Sequence, residues 1–68
     1  MESENNASAL LTDIVQQSQE IGSETRWMAY YCYAQNNTDQ IGAIENTVSC
    51  IETALTIIKE KLNKLKEM

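Results

Sequence analysis

The chain has 68 residues, no proline, two glycines and a formal net charge of −5. This composition favours helices over sheets, because strands joined by tight turns need more glycine and proline. One small domain fits this length, with a core that is marginal without oligomerisation, and the negative charge disfavours a phosphate-bearing partner. The absence of histidine excludes Ser-His and Cys-His catalysis and most zinc sites.

The amino-terminal segment is polar and acidic. Residues 1–6 contain two glutamates and do not resemble a secretion signal. We expect a disordered arm there, followed by a single helical-hairpin domain over residues 7–68. No apolar run approaches the roughly 18 residues that span a bilayer. We therefore expect a cytoplasmic protein without a membrane partner.

A first helix is predicted over residues 8–35, with Asn6 or Ser8 as its N-cap. Its apolar stripe consists of Leu10, Ile14, Ile21, Met28 and Tyr31, with Leu11 alongside. Gly22 either lies within a continuous helix or marks a break, after which Ser23 would cap a new helix. The stripe keeps its phase across Gly22 and proline is absent, so we favour the continuous helix.

All the aromatic residues of the chain lie close together in the first helix: Trp27, Tyr30, Tyr31 and Tyr33. On a helix, Trp27, Tyr30 and Tyr31 share a broad side, whereas Tyr33 points elsewhere. One interpretation packs Trp27 and one or two tyrosines into a core or a dimer interface. The other makes the four residues a binding site for a partner protein, because Trp and Tyr are frequent hot spots of interfaces.

The clearest break in the helical pattern is the polar sequence Asn36-Asn37-Thr38-Asp39. Asn36 can end the first helix and Asn37 or Thr38 can cap the next one. We predict a turn at residues 36–38 and a second helix over residues 38–66. Because a connection this short makes the helices antiparallel neighbours, the predicted fold is all-α, an antiparallel helical hairpin.

The second helix carries the strongest pattern in the chain. Branched aliphatic residues recur there at alternating steps of three and four, as on the contact side of a coiled coil. This aliphatic seam consists of Ile41, Ile44, Val48, Ile51, Leu55, Ile58, Leu62 and Leu65. We expect it to pack against the first helix, which covers it only in part because polar residues interrupt the stripe of that helix.

A second, narrower stripe on the same helix contains mainly small residues. This small-residue stripe consists of Ala43, Thr47, Cys50, Ala54 and Ile57. A two-helix hairpin uses one side of each helix, so a second stripe predicts a further helix from another molecule. We therefore predict a homodimeric four-helix bundle with two-fold symmetry.

Charged residues beside the aliphatic seam favour one orientation of the dimer. An antiparallel copy of the second helix sets Glu45 opposite Lys66 and Glu52 opposite Lys59. A parallel copy offers little complementarity. Exposed pairs of this kind contribute about 0.5 kcal/mol each, so they bear on orientation more than on strength. The alternative is that these residues are solvated charges, with the basic end of the helix complementing its dipole.

The residues with reactive side chains do not form a recognisable catalytic pattern. Cys32 and Cys50 are offset by roughly 10 Å along the hairpin, too far for a disulfide, and we expect free, buried thiols. The carboxylates are interpreted as surface charges: Asp13, Glu20, Glu24, Glu45 and Glu52. We predict no catalytic, cofactor-binding or metal-binding residue, and we do not expect an enzyme.

Size, charge and the aromatic residues together predict a small acidic interaction module. It would bind and modulate a partner protein as an inhibitor, an adaptor or a chaperone-like protein. The alternative is a nucleic-acid-related regulator, either a small RNA- or DNA-binding bundle or an acidic mimic of nucleic acid. The basic residues near the carboxyl terminus form a weak footprint for such binding: Lys59, Lys61, Lys64 and Lys66.

Overall fold

The computed structural model describes residues 6–34 and 40–68, which form two long helices. Helix α1 spans Ala7–Tyr33 and helix α2 spans Gln40–Lys66. The helices pack against each other along their lengths, which confirms the all-α antiparallel hairpin. The predicted turn at 36–38, and the predicted arm apart from its last residue, lie outside the described residues.

Helix α1 is capped at its start and continuous through its glycine. The Asn6 side-chain oxygen accepts a hydrogen bond of 2.8 Å from the backbone N–H of Ala9, which satisfies a donor that no intrahelical carbonyl reaches. No break occurs at Gly22, so the continuous interpretation is confirmed. The helix ends at Tyr33 rather than at residue 35, because Ala34 already has an extended conformation.

Two side-chain contacts fix the register of α1 against α2. The Gln40 side-chain amide donates hydrogen bonds to the backbone oxygens of Tyr31, at 2.6 Å, and of Cys32, at 3.3 Å. These carbonyls belong to the last turn of α1, where backbone donors are few; the Tyr31 oxygen also accepts a hydrogen bond of 3.3 Å from the backbone N–H of Ala34. At the other end of the hairpin, Lys61 Nζ lies 3.2 Å from Asp13 Oδ2. The start of α1 therefore lies beside the end of α2.

Two adjacent rows of side chains on each helix form the interface within the hairpin. On α1 the buried or half-buried residues include the whole predicted stripe, together with Gln17 and Glu24. On α2 they include Ile44, Ile51, Ile58 and Leu65, named here the inner row of the aliphatic seam. Among the described residues, only Leu10, Thr47 and Ala54 are buried, and none of the side chains is fully buried. The core of a single hairpin is therefore thin.

The other half of the aliphatic seam does not face α1. This outer row consists of Ile41, Val48, Leu55 and Leu62, with exposed fractions of 71%, 38%, 43% and 44%. Each outer-row residue lies four positions after an inner-row residue or three positions before one. Either spacing places it about 40–60° around α2 from the inner row. That rotation is enough to carry its side chain out of the contact with α1.

The predicted role of the small-residue stripe is wrong. Thr47 and Ala54 are 6% and 2% exposed, because α1 itself packs against them. Small side chains allow the backbone of α1 to approach closely, and Ala54 fills the space with no polar atom to satisfy. The Thr47 hydroxyl donates to the backbone oxygen of Ile44 at 2.7 Å, so its burial leaves no unpaired polar group. This stripe therefore gives no reason to expect a further helix.

Candidate protein-binding surfaces

The two sides of the hairpin differ in chemistry. On one side, Trp27 and Tyr31 of α1 line a groove together with Ala43 and Cys50 of α2. Val48 lies two residues before Cys50, about 160° around α2. The outer row therefore lies on the opposite side of the hairpin from the groove that Trp27 lines.

Three aromatic rings contact one another on the surface of α1. The Trp27 ring lies 5.8 Å from that of Tyr30, edge to face, and 6.0 Å from that of Tyr31, stacked. The rings of Tyr30 and Tyr31 are 5.7 Å apart. Separations in this range are favourable for aromatic pairs. We call Trp27, Tyr30 and Tyr31 the aromatic surface.

The spacing of these residues explains why they meet. Residues three and four positions apart are neighbours on a helix surface, which places Tyr30 and Tyr31 beside Trp27. Tyr33, the remaining predicted binding residue, is 81% exposed and lies outside the cluster. The structure thus brings together three of the four predicted residues.

The aromatic surface is largely accessible in the hairpin. Trp27 and Tyr30 are 51% and 60% exposed, whereas Tyr31 is half-buried at the edge of the contact with α2. The interpretation that Trp27 packs into the core of the hairpin is therefore wrong. A shallow groove next to these rings is lined by Ser23, Arg26, Trp27 and Tyr30. An incoming side chain would meet aromatic area, a hydroxyl and one cation there.

The opposite side of the hairpin is aliphatic. Leu11 and Val15 of α1 are 52% and 53% exposed and lie roughly 160° and 120° around α1 from Trp27. They share this side with the outer row of α2. We call the combined set the aliphatic face: Leu11, Val15, Ile41, Val48, Leu55 and Leu62.

A row of exposed charges borders the aliphatic face. Its members each follow an outer-row residue by four positions: Glu45, Glu52, Lys59 and Lys66. The first half of α2 therefore presents acidic residues beside the face and the second half presents basic residues.

Sequence reasoning missed both contacts that fix the register. Asp13, interpreted as a surface charge, is paired with Lys61, and the two side chains are 43% and 25% exposed. Gln40 closes the end of α1 through its side chain. Each contact joins a residue of α1 to a residue of α2, so it could be predicted only if the register of the hairpin were already known.

The reactive groups are scattered rather than clustered. Both cysteines are free, as predicted, but they are exposed rather than buried, because they lie beside the contact rows instead of within them. Within residues 6–34 and 40–68, no group of three or more His, Cys, Asp or Glu side chains is placed to hold a metal ion. The pairing of Lys61 with Asp13 also takes one lysine out of the basic carboxyl-terminal cluster.

The expectation about membrane-spanning segments needs a correction. Helix α2 is long and apolar enough to cross a bilayer by length and composition alone, with a mean hydropathy of 1.3 in its most apolar window. Only 11% of that window is buried in the hairpin, which reflects the open outer row. A mean hydropathy does not show where the charged residues of α2 lie. Each charge placed at the bilayer centre would cost about 3 kcal/mol. The high average therefore arises from one aliphatic side of an amphipathic helix.

Comparison of the chain with models of known families, with curated proteins and with solved structures found no match.

Proposed function

We propose that this chain is a small acidic interaction module, which binds a partner protein through the aromatic surface and modulates it as an inhibitor, an adaptor or a chaperone-like protein. The observation that carries the proposal is the exposed cluster of Trp27, Tyr30 and Tyr31. Clustered aromatic rings with polar tips are frequent hot spots of protein interfaces.

The packing of the aromatic surface supports this role energetically. Each ring contacts the other two, so the rings already restrict one another before a partner arrives. Binding then costs less side-chain entropy than it would for three isolated rings. The adjoining groove of Ser23 and Arg26 provides polar contacts at the edge, where a rim of hydrogen-bonding groups is typical of interfaces.

The proposed module is a homodimer. A single hairpin buries only three of its described residues, and domains of this size are marginal on their own. Its exposed aliphatic face supports self-association and leaves the aromatic surface on the other side for a different protein.

The test of partner binding is affinity capture from the native host with matched variants. Wild-type protein, Trp27→Ala and Tyr33→Ala serve as baits, and captured proteins are compared by mass spectrometry. Tyr33→Ala is the control, because it removes an exposed aromatic side chain outside the cluster. A partner that depends on the aromatic surface is retained by wild type and Tyr33→Ala and lost with Trp27→Ala.

Titration of the purified partner then measures the size of the effect. We expect Trp27→Ala to weaken binding by about 2 kcal/mol, which is roughly thirtyfold, as for a hot-spot residue. Circular dichroism verifies that each variant is folded. If Trp27→Ala captures every partner at the wild-type level, the proposed binding site is wrong. Capture of nucleic acid that salt releases would instead favour the nucleic-acid-related alternative.

A further inference from the structure

The aliphatic face lacks a cover within the hairpin. Its six aliphatic side chains are between 38% and 71% exposed. The chain exposes 5117 Å² in total, whereas a compact monomer of this mass exposes about 4,300 Å². Part of this larger surface is the open aliphatic face, and part follows from the elongated shape of a hairpin that is 54 Å long and 16 Å wide.

The charges beside the face identify the occupant. If a second copy of α2 lies antiparallel across the outer row, with a two-fold axis near Thr56, Glu45 meets Lys66 of the second copy. The same operation brings Glu52 next to Lys59 of the second copy. A parallel two-fold copy instead brings each charge level with its own equivalent. The pattern is therefore complementary to itself in the antiparallel orientation alone.

The same two-fold axis also aligns the aliphatic residues of α2. Leu55 comes next to Leu55 of the second copy, and Val48 comes next to Leu62 of the second copy. All three residues belong to the outer row, which α1 leaves exposed. Each α2 thus uses one side of the seam for α1 and the other for the second copy, as helices in four-helix bundles do.

Gly22 provides an independent indication on α1. A Cβ atom at this position would meet nothing within 4 Å, and the backbone φ is not positive. The hairpin itself therefore does not require glycine there, although an interior glycine costs about 1 kcal/mol relative to alanine. Leu11, Val15 and Gly22 lie on the same side of α1, at spacings of four and seven.

The register of the hairpin connects Gly22 to the two-fold axis. The pairing of Asp13 with Lys61 puts the middle of α1, near Ser18, at the level of Thr56. An antiparallel α1 of a second copy then crosses near Ser18 and sets its Val15 against Gly22. The missing side chain provides the space that Val15 needs.

From these observations we infer that a second copy of this chain covers the aliphatic face in an antiparallel two-fold arrangement, α2 against α2 and α1 against α1. The inference rests on the proposed homodimer and specifies its surface and orientation. It leaves Trp27 and Tyr31, which line the groove on the other side of the hairpin, outside the contact between the copies.

Partial and complete charge reversal on α2 test the orientation. The double variant Glu45→Lys, Glu52→Lys makes the bordering row entirely basic, so every pair across an antiparallel dimer becomes repulsive. We expect the dimer dissociation constant to rise at least tenfold at low salt and by less at high salt. Adding Lys59→Glu and Lys66→Glu reverses all four charges, restores complementarity and returns the constant to the wild-type value.

The matched control is the double variant Glu60→Lys, Glu67→Lys. It changes the net charge by the same amount as the first double variant, but Glu60 lies about 160° around α2 from the outer row. We expect it to leave the dissociation constant within about twofold of wild type. Sedimentation equilibrium measures the constants, and circular dichroism establishes that each variant is helical.

Two outcomes would overturn the inference. One is a dimer that the double variant Glu45→Lys, Glu52→Lys does not weaken. That result would indicate a parallel two-fold dimer, in which the variant only replaces a pair of glutamates by a pair of lysines. The other is a monomer that binds phosphatidylcholine vesicles through Leu55, which would assign the face to a membrane. Neither outcome affects the capture experiment with Trp27→Ala, so failure of the orientation and failure of the partner-binding proposal remain distinguishable.

Discussion

The two faces of this hairpin expose apolar surface in different patterns. The aliphatic face repeats at heptad spacing along α2, extends onto α1 and is bordered by charges that change sign halfway. The aromatic surface is confined to about one turn of α1, where three rings contact one another. One pattern is long and regular, and the other is compact and local.

This difference indicates which kind of partner suits each face. A repeating pattern with a charge reversal matches a rotated copy of itself, because a two-fold axis brings each half against the other. A compact aromatic cluster has no such internal symmetry and suits a pocket on a different protein. Trp27 lies about 120–160° around α1 from Val15 and Leu11, so the proposed dimer and a partner site centred on Trp27 need not compete.

The largest expected effect comes from placing a charge at the centre of the aliphatic face. Leu55→Lys puts two lysines close to the proposed two-fold axis, where each would be buried without a counter-charge. We expect the dissociation constant to rise about a thousandfold, or about 4 kcal/mol, because unpaired buried charges cost several kcal/mol. Sedimentation equilibrium should then give the monomer mass.

Ser49→Lys is the control for this substitution. Ser49 is exposed on α2, away from both the face and the contact with α1, and the same added charge there should leave the dimer intact. A dimer of wild-type affinity in Leu55→Lys would contradict the assignment of the face.

A smaller effect separates the interior of the hairpin from the aliphatic face. Leu10 is 3% exposed, whereas its neighbour Leu11 is 52% exposed. Leu10→Ala should lower the free energy of unfolding by about 3 kcal/mol at any protein concentration, since it leaves a cavity between α1 and α2. Leu11→Ala should reduce stability only at concentrations where the dimer forms. Urea unfolding at two protein concentrations measures both effects, and equal losses in the two variants would contradict the distinction.

The smallest predicted effect is a change in the free energy of unfolding caused by one substitution on α1, and its sign is informative. In an isolated hairpin, Gly22→Ala should raise the free energy of unfolding by up to about 1 kcal/mol, because the added methyl meets nothing and the helix gains propensity. In the proposed dimer the methyl intrudes on Val15 of the second copy and weakens association. The change in the free energy of unfolding should therefore be positive at protein concentrations below the dissociation constant and negative above it. A gain in stability at both concentrations would exclude close approach of a second α1.

The hairpin and the aromatic cluster could be predicted because they depend on spacing within one helix. The steps of three and four along α2, and the absence of proline, are sufficient to predict two helices. The positions of Trp27, Tyr30 and Tyr31 on one side of α1 follow from the rotation per residue. Neither prediction requires knowledge of how the helices meet.

The contact between the helices could not be predicted in the same way. Two rows on α2 compete to face α1, and the strength of a hydrophobic pattern does not decide between them. Thr47 and Ala54 face α1 because their small side chains permit close approach of the two helices. How closely two helices approach depends on both of them and not on the sequence of one stripe. The exposure of Cys32 and Cys50, both expected to be buried, follows from this rotation as well.

The most direct test of the assembly is the mass of the folded protein in solution, measured by sedimentation equilibrium at tens of micromolar, with Trp27 emission recorded on the same samples. The proposed arrangement predicts twice the chain mass of 7.7 kDa, and an emission maximum that stays constant as dilution separates the copies. A stable, helical monomer would contradict the dimer. A shift of Trp27 emission to shorter wavelength on association would place the aromatic surface inside the dimer, contrary to the separation of the two faces.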